Sequence, residues 1–192
     1  MSFRSLLSHR ADVWRKDEVV YSGALVPGTY TVDAQLSDAG YVQVELSETP
    51  ASGSVTVYSD TASETLDISG VDFATGSVLF DNIEQIVVSQ AAGGTFTIKV
   101  YDPSGKQCTA LNRVYSSIRC RLDRERERWS LEPYGRGEAE KLRMFVGGED
   151  IRVGDYVDVK GVRYEVIEGP YVTYDRTGEV HHKTLIVRRA DG

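Results

Sequence analysis

The sequence predicts an all-β protein, namely a small antiparallel β-barrel built from both chain ends, with an inserted β-sandwich domain. Short segments rich in Val, Ile, Thr, Tyr and Phe recur along the chain, separated by Gly, Pro, Asp, Asn or Ser. Charge is uneven: positions 22–112 hold eleven Asp or Glu against two Lys, while the flanks carry a net charge of about +2. The chain ends therefore form one domain (1–22 and 113–192), and the acidic segment 23–112 forms another.

The acidic segment shows strand patterns and turns but no helical periodicity. Breakers such as Pro27-Gly28 and Asp102-Pro103-Ser104-Gly105 separate its short alternating runs, and we also predict a turn at Asp38-Ala39-Gly40. Seven short strands with frequent turns are typical of a β-sandwich. The predicted strands cover residues 29–36, 41–46, 54–58, 65–68, 77–80, 83–89 and 95–101.

The two ends supply the predicted barrel. Residues 3–22 hold one opening strand, with Trp14 as a core residue. A strand over 114–122 follows the acidic segment, and residues 138–145 form either a short helical turn or a return strand. Lys160-Gly161 predicts a tight hairpin turn with Gly at a position of positive φ, and the closing strand covers 183–188.

Composition and motifs exclude several classes of function. No run of apolar residues approaches the length of a membrane span, and the first residues do not resemble a secretory signal. The net charge of −7 and the absence of a basic block disfavour a dedicated nucleic-acid binder. No P-loop, G-x-S-x-G, H-E-x-x-H or dinucleotide fingerprint occurs, so we predict no enzymatic activity and no cofactor. Cys108 and Cys120 are interpreted as two free, buried thiols rather than a disulfide.

Metal binding also has little support in the sequence. Adjacent residues of a strand point to opposite faces, so we predict that His181 and His182 do not readily share one ion, even with His9. Scattered acidic residues of the insert lack the spacing of a calcium loop and are interpreted as a solvated face. They are Asp33, Asp38, Asp60, Asp67, Asp72 and Asp81.

A charged arm over about 123–143 is the candidate channel loop and subunit interface. Arginine alternates with glutamate in its first part, which leaves three interpretations open: a solvated arm with paired cross-strand charges, pairing with a neighbouring subunit, or contact with DNA phosphates. Exposed aromatic residues at its tip would suit an interface, although they equally suit a small core. The candidate residues are Arg124, Arg126, Arg128, Trp129, Tyr134 and Arg136.

The order of these pieces resembles the head-completion (stopper, or head–tail joining) proteins of long-tailed bacteriophages. The resemblance rests on His9-Arg10-Ala11-Asp12-Val13-Trp14 at the start, a charged loop after the second strand, and a basic closing strand over 183–189. Between these lies a segment of the type I-x-x-G-D-x-V-x-x-x-G-x-x-Y-x-V. Its residues here are Ile151, Gly154, Asp155, Val157, Gly161, Tyr164 and Val166.

The resemblance covers about half of the chain and implies a structural role in the virion neck. Such proteins form a homo-oligomeric ring, expected to be six- or twelve-fold, with portal and adaptor proteins above and tail proteins below. The ring closes the portal channel around packaged double-stranded DNA and provides the tail-attachment surface. The subunit is expected to be made in the host cytoplasm. The acidic insert departs from the family pattern.

Two alternatives remain open. The insert resembles a carbohydrate-binding or immunoglobulin-like sandwich, so the chain could be an adhesin or a decoration protein. That hypothesis requires exposed aromatic side chains on one sheet face, and Tyr30, Tyr41, Tyr58 and Tyr101 are the candidates. A tail-tube or tail-terminator component is the other alternative, because such proteins are also β-rich barrels.

Overall fold

A computed structural model describes residues 7–90, 93–124 and 141–190, and confirms that the protein is all-β. None of the described residues belongs to a helix of the length and apolarity needed to cross a membrane. The strands are β1 (His9–Asp17), β2 (Tyr21–Ala24), β3 (Gly28–Leu46), β4 (Ser54–Tyr58), β5 (Ser63–Asp67), β6 (Phe73–Ser89), β7 (Thr95–Tyr101), β8 (Ala110–Arg124), β9 (Lys141–Val146), β10 (Tyr156–Val159), β11 (Val162–Tyr174) and β12 (Val180–Arg189).

The chain divides into two compact units. The first, called the barrel unit below, comprises Met1–Arg15 and Val114–Gly192, and the second, the acidic unit, comprises Lys16–Arg113. The division falls inside strands β1 and β8. The sequence analysis places the corresponding boundaries at 22/23 and 112/113.

The barrel unit is a closed six-stranded antiparallel β-barrel, as predicted. Its strands follow the order β1-β10-β11-β12-β9-β8, and β8 pairs with β1 to close the barrel. Closure leaves no free edge within the wall. Trp14 is buried, as predicted for a core residue. The interior is filled by apolar side chains, among them Val13, Met144, Val146, Ile151, Val157, Val166, Leu185 and Val187.

The hairpin predicted at Lys160-Gly161 is confirmed. Val159 pairs with Val162, so only two residues connect β10 to β11. Both have positive φ, 53° at Lys160 and 78° at Gly161. Such turns match the right-handed twist of the paired strands, which fixes the register of this hairpin.

The acidic unit contains fewer and longer strands than predicted. The predicted pairs 29–36 with 41–46 and 77–80 with 83–89 each merge into one strand, β3 and β6. The turn predicted at Asp38-Ala39-Gly40 is therefore wrong, because this stretch is an irregularity within β3 where the pairing jumps between Gln35 and Gly40. Glycine is needed there for close packing, since a Cβ at Gly40 would lie 2.6 Å from the Tyr101 carbonyl oxygen.

The long strands organise the acidic unit. Its pairing order is β2-β7-β3-β6-β4-β5, and the first part of β3 also pairs with the start of β8. The sequence analysis did not predict the short strand β2. A separate apolar core lies within this unit and includes Leu25, Val42, Val55, Ile68, Phe80, Ile86, Phe96 and Ile98.

Candidate functional site

The motif residue Asp155 anchors the opening strand inside the barrel unit. It is the only buried charged or polar residue in the described part of the chain, at 2% exposure. Arg15 donates two hydrogen bonds of 2.9 Å, from Nε to Oδ1 and from Nη2 to Oδ2, and the Arg152 backbone N–H donates a third, also 2.9 Å, to Oδ2. The carboxylate raises the pKa of the Arg15 guanidinium, against the opposing effect of burial. We call this pair the Arg15–Asp155 clamp.

The other motif positions also build the barrel. Ile151, Val157 and Val166 are completely buried in its interior. Gly154 has a φ of 90°, a backbone conformation that side chains rarely adopt. The motif therefore marks a structural corner that joins β10, β11 and the end of β1.

The structure reaches only the base of the predicted arm. Arg124 ends β8 and pairs with Leu142 of β9. One step earlier, Asp123 lies opposite Arg143 and accepts a hydrogen bond of 2.8 Å from Arg121 Nε. Oppositely charged residues on adjacent strands are expected at the base of an arm whose own cross-strand charges pair with each other. The remaining candidates lie outside the described residues: Arg126, Arg128, Trp129, Tyr134 and Arg136.

A two-stranded projection leaves one end of the barrel wall, and it was not predicted from the sequence. Strand β12 pairs with β9 from Arg188 to Lys183, which is the last residue aligned with β9. Pairing of β12 with β11 continues beyond this point, to Tyr174 opposite Val180. Residues 171–182 are called the β11–β12 hairpin, and those from Thr173 to His182 form the two-stranded part that extends beyond β9. The base of the predicted arm lies at the other end, because Lys141 is opposite Arg188.

The β11–β12 hairpin exposes apolar side chains. Tyr171 is 54% exposed and Tyr174 is 61% exposed, and Val172 and Val180 are also exposed. Exposed aromatic and β-branched residues grouped on one projection are typical of an interaction surface. The available sequence signal was the alternation before and after the turn residues Asp175-Arg176-Thr177-Gly178.

The turn of this hairpin is held by one carboxylate. Asp175 Oδ1 accepts hydrogen bonds from Thr177 N (2.8 Å), Thr177 Oγ1 (2.6 Å) and Glu179 N (3.1 Å). These bonds, with that of the Thr177 side chain first, lower the pKa of Asp175. Gly178 takes the position of positive φ, at 85°. The tip is thus preorganised by its own residues.

The prediction that His181 and His182 point to opposite faces is wrong. Their Nδ1 atoms lie 2.8 Å apart and their rings are 5.0 Å apart. The reason is a bulge: Thr173 pairs with His182 and Tyr174 pairs with Val180, so His181 is an extra residue in β12. His182 also packs on Phe145, and burial, with His181 beside it, lowers its pKa.

A cleft of about 560 Å³ opens beside β1 and β8 in the barrel unit. Its lining includes Arg10, Arg119 and Glu149. Arg10 donates to the carbonyl oxygen of Ser117, which has a φ of 53°. Glu149 Oε2 is buried and has no hydrogen-bond partner among the described residues.

The tyrosines proposed as a sugar-binding platform do not share one exposed face. Tyr30 packs against Tyr21 and Phe96 of the apolar core, with ring centroids 5.3 and 5.8 Å away. Tyr41 and Tyr101 are opposite each other and half-buried. Of the four candidates, only Tyr58 is classed as exposed, at 38%.

The remaining candidate groups have structural surroundings. Cys108 and Cys120 are free and buried, as interpreted from the sequence. Burial, together with Glu149, raises the pKa of Cys120 to about 11. Within residues 7–90, 93–124 and 141–190, no three His, Cys, Asp or Glu side chains converge in a way that could hold a metal ion.

Comparison with known proteins gives no relative: no family model, no curated protein and no solved structure matches the chain significantly.

Proposed function

We propose that this protein is a non-enzymatic structural subunit of a bacteriophage head–tail connector, most similar in role to a head-completion protein. The observation that carries the proposal is the closed barrel with the β11–β12 hairpin at one end of its wall and the strand ends that flank the charged arm at the other. One end leads into the charged arm after Arg124, and the other into the β11–β12 hairpin. A subunit stacked between a portal above and a tail below needs contact surfaces at both ends.

The family motif supports the same proposal through its structural role. Gly154 and Gly161 shape turns, and Asp155 clamps the opening strand to the corner before β10. Residues 1–15 and 114–192 share one compact unit, which is the part of the chain that carries the resemblance. A rigid wall of this kind suits a ring component that holds its shape against packaged DNA.

Subunits of the proposed ring contact one another heterologously, so that rotation closes a homo-oligomer of six or twelve copies. One feature of the barrel unit suits such contacts. The β11–β12 hairpin offers exposed Tyr171 and Tyr174, which an apolar patch on the neighbouring subunit would bury.

We further propose that the acidic unit is an inserted β-sandwich that does not line the DNA path. Between positions 22 and 112 its net charge is about −9, so it would repel phosphates. The adhesin alternative is weakened because Tyr30 packs into the core and the four tyrosines form no common platform. A tail-tube or tail-terminator protein would also contain a β-barrel, but it would bind the tail rather than the filled head. A binding experiment therefore separates this alternative from the head-completion role.

The test is binding to DNA-filled, tailless capsids that already carry portal and adaptor proteins. Electron microscopy should show a ring at the portal vertex, with DNA retained and tails now able to join. Absence of binding at that vertex, under conditions where tails still attach, would refute the proposal. Binding to tails but not to filled heads would instead identify a tail component.

A matched pair of variants sharpens this test. Tyr174→Ser removes an apolar side chain that is 61% exposed on the β11–β12 hairpin, and Phe73→Ser removes one equally exposed on the acidic unit. We expect Tyr174→Ser to lower the number of occupied vertices and Phe73→Ser to leave it unchanged. Equal effects of the two variants would argue against the hairpin as a contact surface.

A further inference from the structure

The bulge in β12 brings two histidine nitrogens to the spacing of neighbouring ligands on one metal ion. His181 Nδ1 and His182 Nδ1 lie 2.8 Å apart. A metal ion bound to both nitrogens at about 2.0–2.1 Å would subtend an N–metal–N angle of about 84–89°. This is close to the 90° between neighbouring ligands of a square-planar or octahedral ion, whereas a tetrahedral ion needs the nitrogens farther apart.

We propose that His181 and His182 form a two-nitrogen site for a divalent transition-metal ion that favours square-planar or tetragonal geometry, Cu²⁺ foremost and Ni²⁺ next. Cu²⁺ binds nitrogen ligands most strongly among the first-row divalent ions, and both ions accept tetragonal N,O coordination. Zn²⁺, which prefers tetrahedral sites, fits this spacing less well. Among the described residues, no third His, Cys, Asp or Glu joins the pair, so the proposed site is a two-nitrogen site.

The strand holds this site in place. His181 is the extra residue of the bulge between the pairs Thr173–His182 and Tyr174–Val180. The His182 ring is half-buried and packs on Phe145, with ring centroids 5.7 Å apart. In the hydrogen bond between the two rings, one Nδ1 carries the shared proton. Metal binding would move that proton to Nε2 of the same ring, so that each Nδ1 offers a lone pair.

The site lies at the base of the β11–β12 hairpin, next to Lys183, whose Nζ donates to the backbone oxygens of Gly148 and Glu149. A bound ion would link two neighbouring residues of β12 and would therefore favour the bulged conformation of this strand over a regular one. This inference does not depend on the proposed function.

The test is calorimetric titration of the full chain, without an affinity tag, with Cu²⁺, Ni²⁺ and Zn²⁺. The chain has three histidines, so His9→Asn is a matched control for His181→Asn and His182→Asn. We expect one Cu²⁺ per chain, with affinity in the order Cu²⁺ > Ni²⁺ > Zn²⁺. Binding should be unchanged in His9→Asn and lost in each of the other two variants.

Electron paramagnetic resonance gives a second readout. The Cu²⁺ spectrum should show two equatorial nitrogens, and circular dichroism should show that each variant keeps its strands. Absence of Cu²⁺ binding would overturn the inference. So would binding that survives in both His181→Asn and His182→Asn, or that depends on His9.

Discussion

Removing the Asp155 carboxylate should destabilise the barrel unit severely. Asp155 is 2% exposed and accepts three hydrogen bonds of 2.9 Å, two of them from Arg15. Asp155→Ala leaves the Arg15 guanidinium and the Arg152 N–H without this acceptor. Breaking a fully buried ion pair costs about 3–5 kcal/mol. Because the Arg15 side chain is 24% exposed and can recruit water, we expect a loss of about 2–4 kcal/mol.

The assay is urea unfolding followed by tryptophan fluorescence. The chain has two tryptophans, and Trp129→Phe leaves Trp14, the neighbour of Arg15, as the only reporter. In this background the signal follows the barrel unit. For a domain of roughly 100 residues, the expected loss lowers the melting temperature by roughly 10–25 °C.

The matched control is Asp150→Ala in the same loop. Asp150 also pairs with an arginine, Arg152, but the two side chains are 56% and 63% exposed. An exposed pair contributes about 0–1 kcal/mol. If Asp155→Ala and Asp150→Ala lower the free energy of unfolding by amounts that agree within about 0.5 kcal/mol, the Arg15–Asp155 clamp does not stabilise the barrel unit.

Three further outcomes follow from local geometry. Burial raises the pKa of Cys120 from 9.0 to about 11, so its protonated thiol stabilises the fold fully below pH 9. This contribution, up to about 2–3 kcal/mol, is lost as the pH rises through 11. Urea unfolding of wild type and Cys120→Ala at pH 8 and 10.5 should show the smaller decline in the variant, and equal declines would contradict this. Lys160 has a φ of 53°, a conformation that asparagine adopts more readily than lysine. Lys160→Asn should therefore raise the free energy of unfolding by about 0.5–1 kcal/mol, which thermal melting would show as a higher melting temperature. Gly40→Ala should cost about 1–3 kcal/mol because its Cβ meets a backbone oxygen at 2.6 Å, whereas Gly148→Ala, with nothing within 4 Å, should be nearly neutral.

Local sequence patterns correctly predicted those strands and turns whose ends are set by neighbouring residues in the chain. Strands over 54–58 and 95–101 have the predicted bounds, because alternation and flanking turn residues define them. The Lys160-Gly161 turn is equally local. The merged strand β3 is the opposite case: Asp38-Ala39-Gly40 has turn composition, but Gly40 is there because the Tyr101 backbone approaches it.

The ion pair, the histidine contact and the β11–β12 hairpin were not predicted, because each depends on pairing between segments that are distant in the sequence. Arg15 and Asp155 are separated by 140 positions, and no local pattern joins them. The His181–His182 contact results from cross-strand register, since a regular strand would separate the rings. The β11–β12 hairpin projects only because β9 ends at Val146 while β11 continues.

These features assign different tasks to the wall and the ends of the barrel. The wall is closed, filled with apolar side chains and clamped by Asp155, so it supplies stability and a fixed shape. The β11–β12 hairpin is a two-stranded extension beyond the wall, and isolated two-stranded ribbons are marginally stable in water. Its anchors, Lys183 and the histidine pair, lie at its base. The hairpin can therefore change conformation while the barrel stays intact, as the proposed joint between head and tail would require.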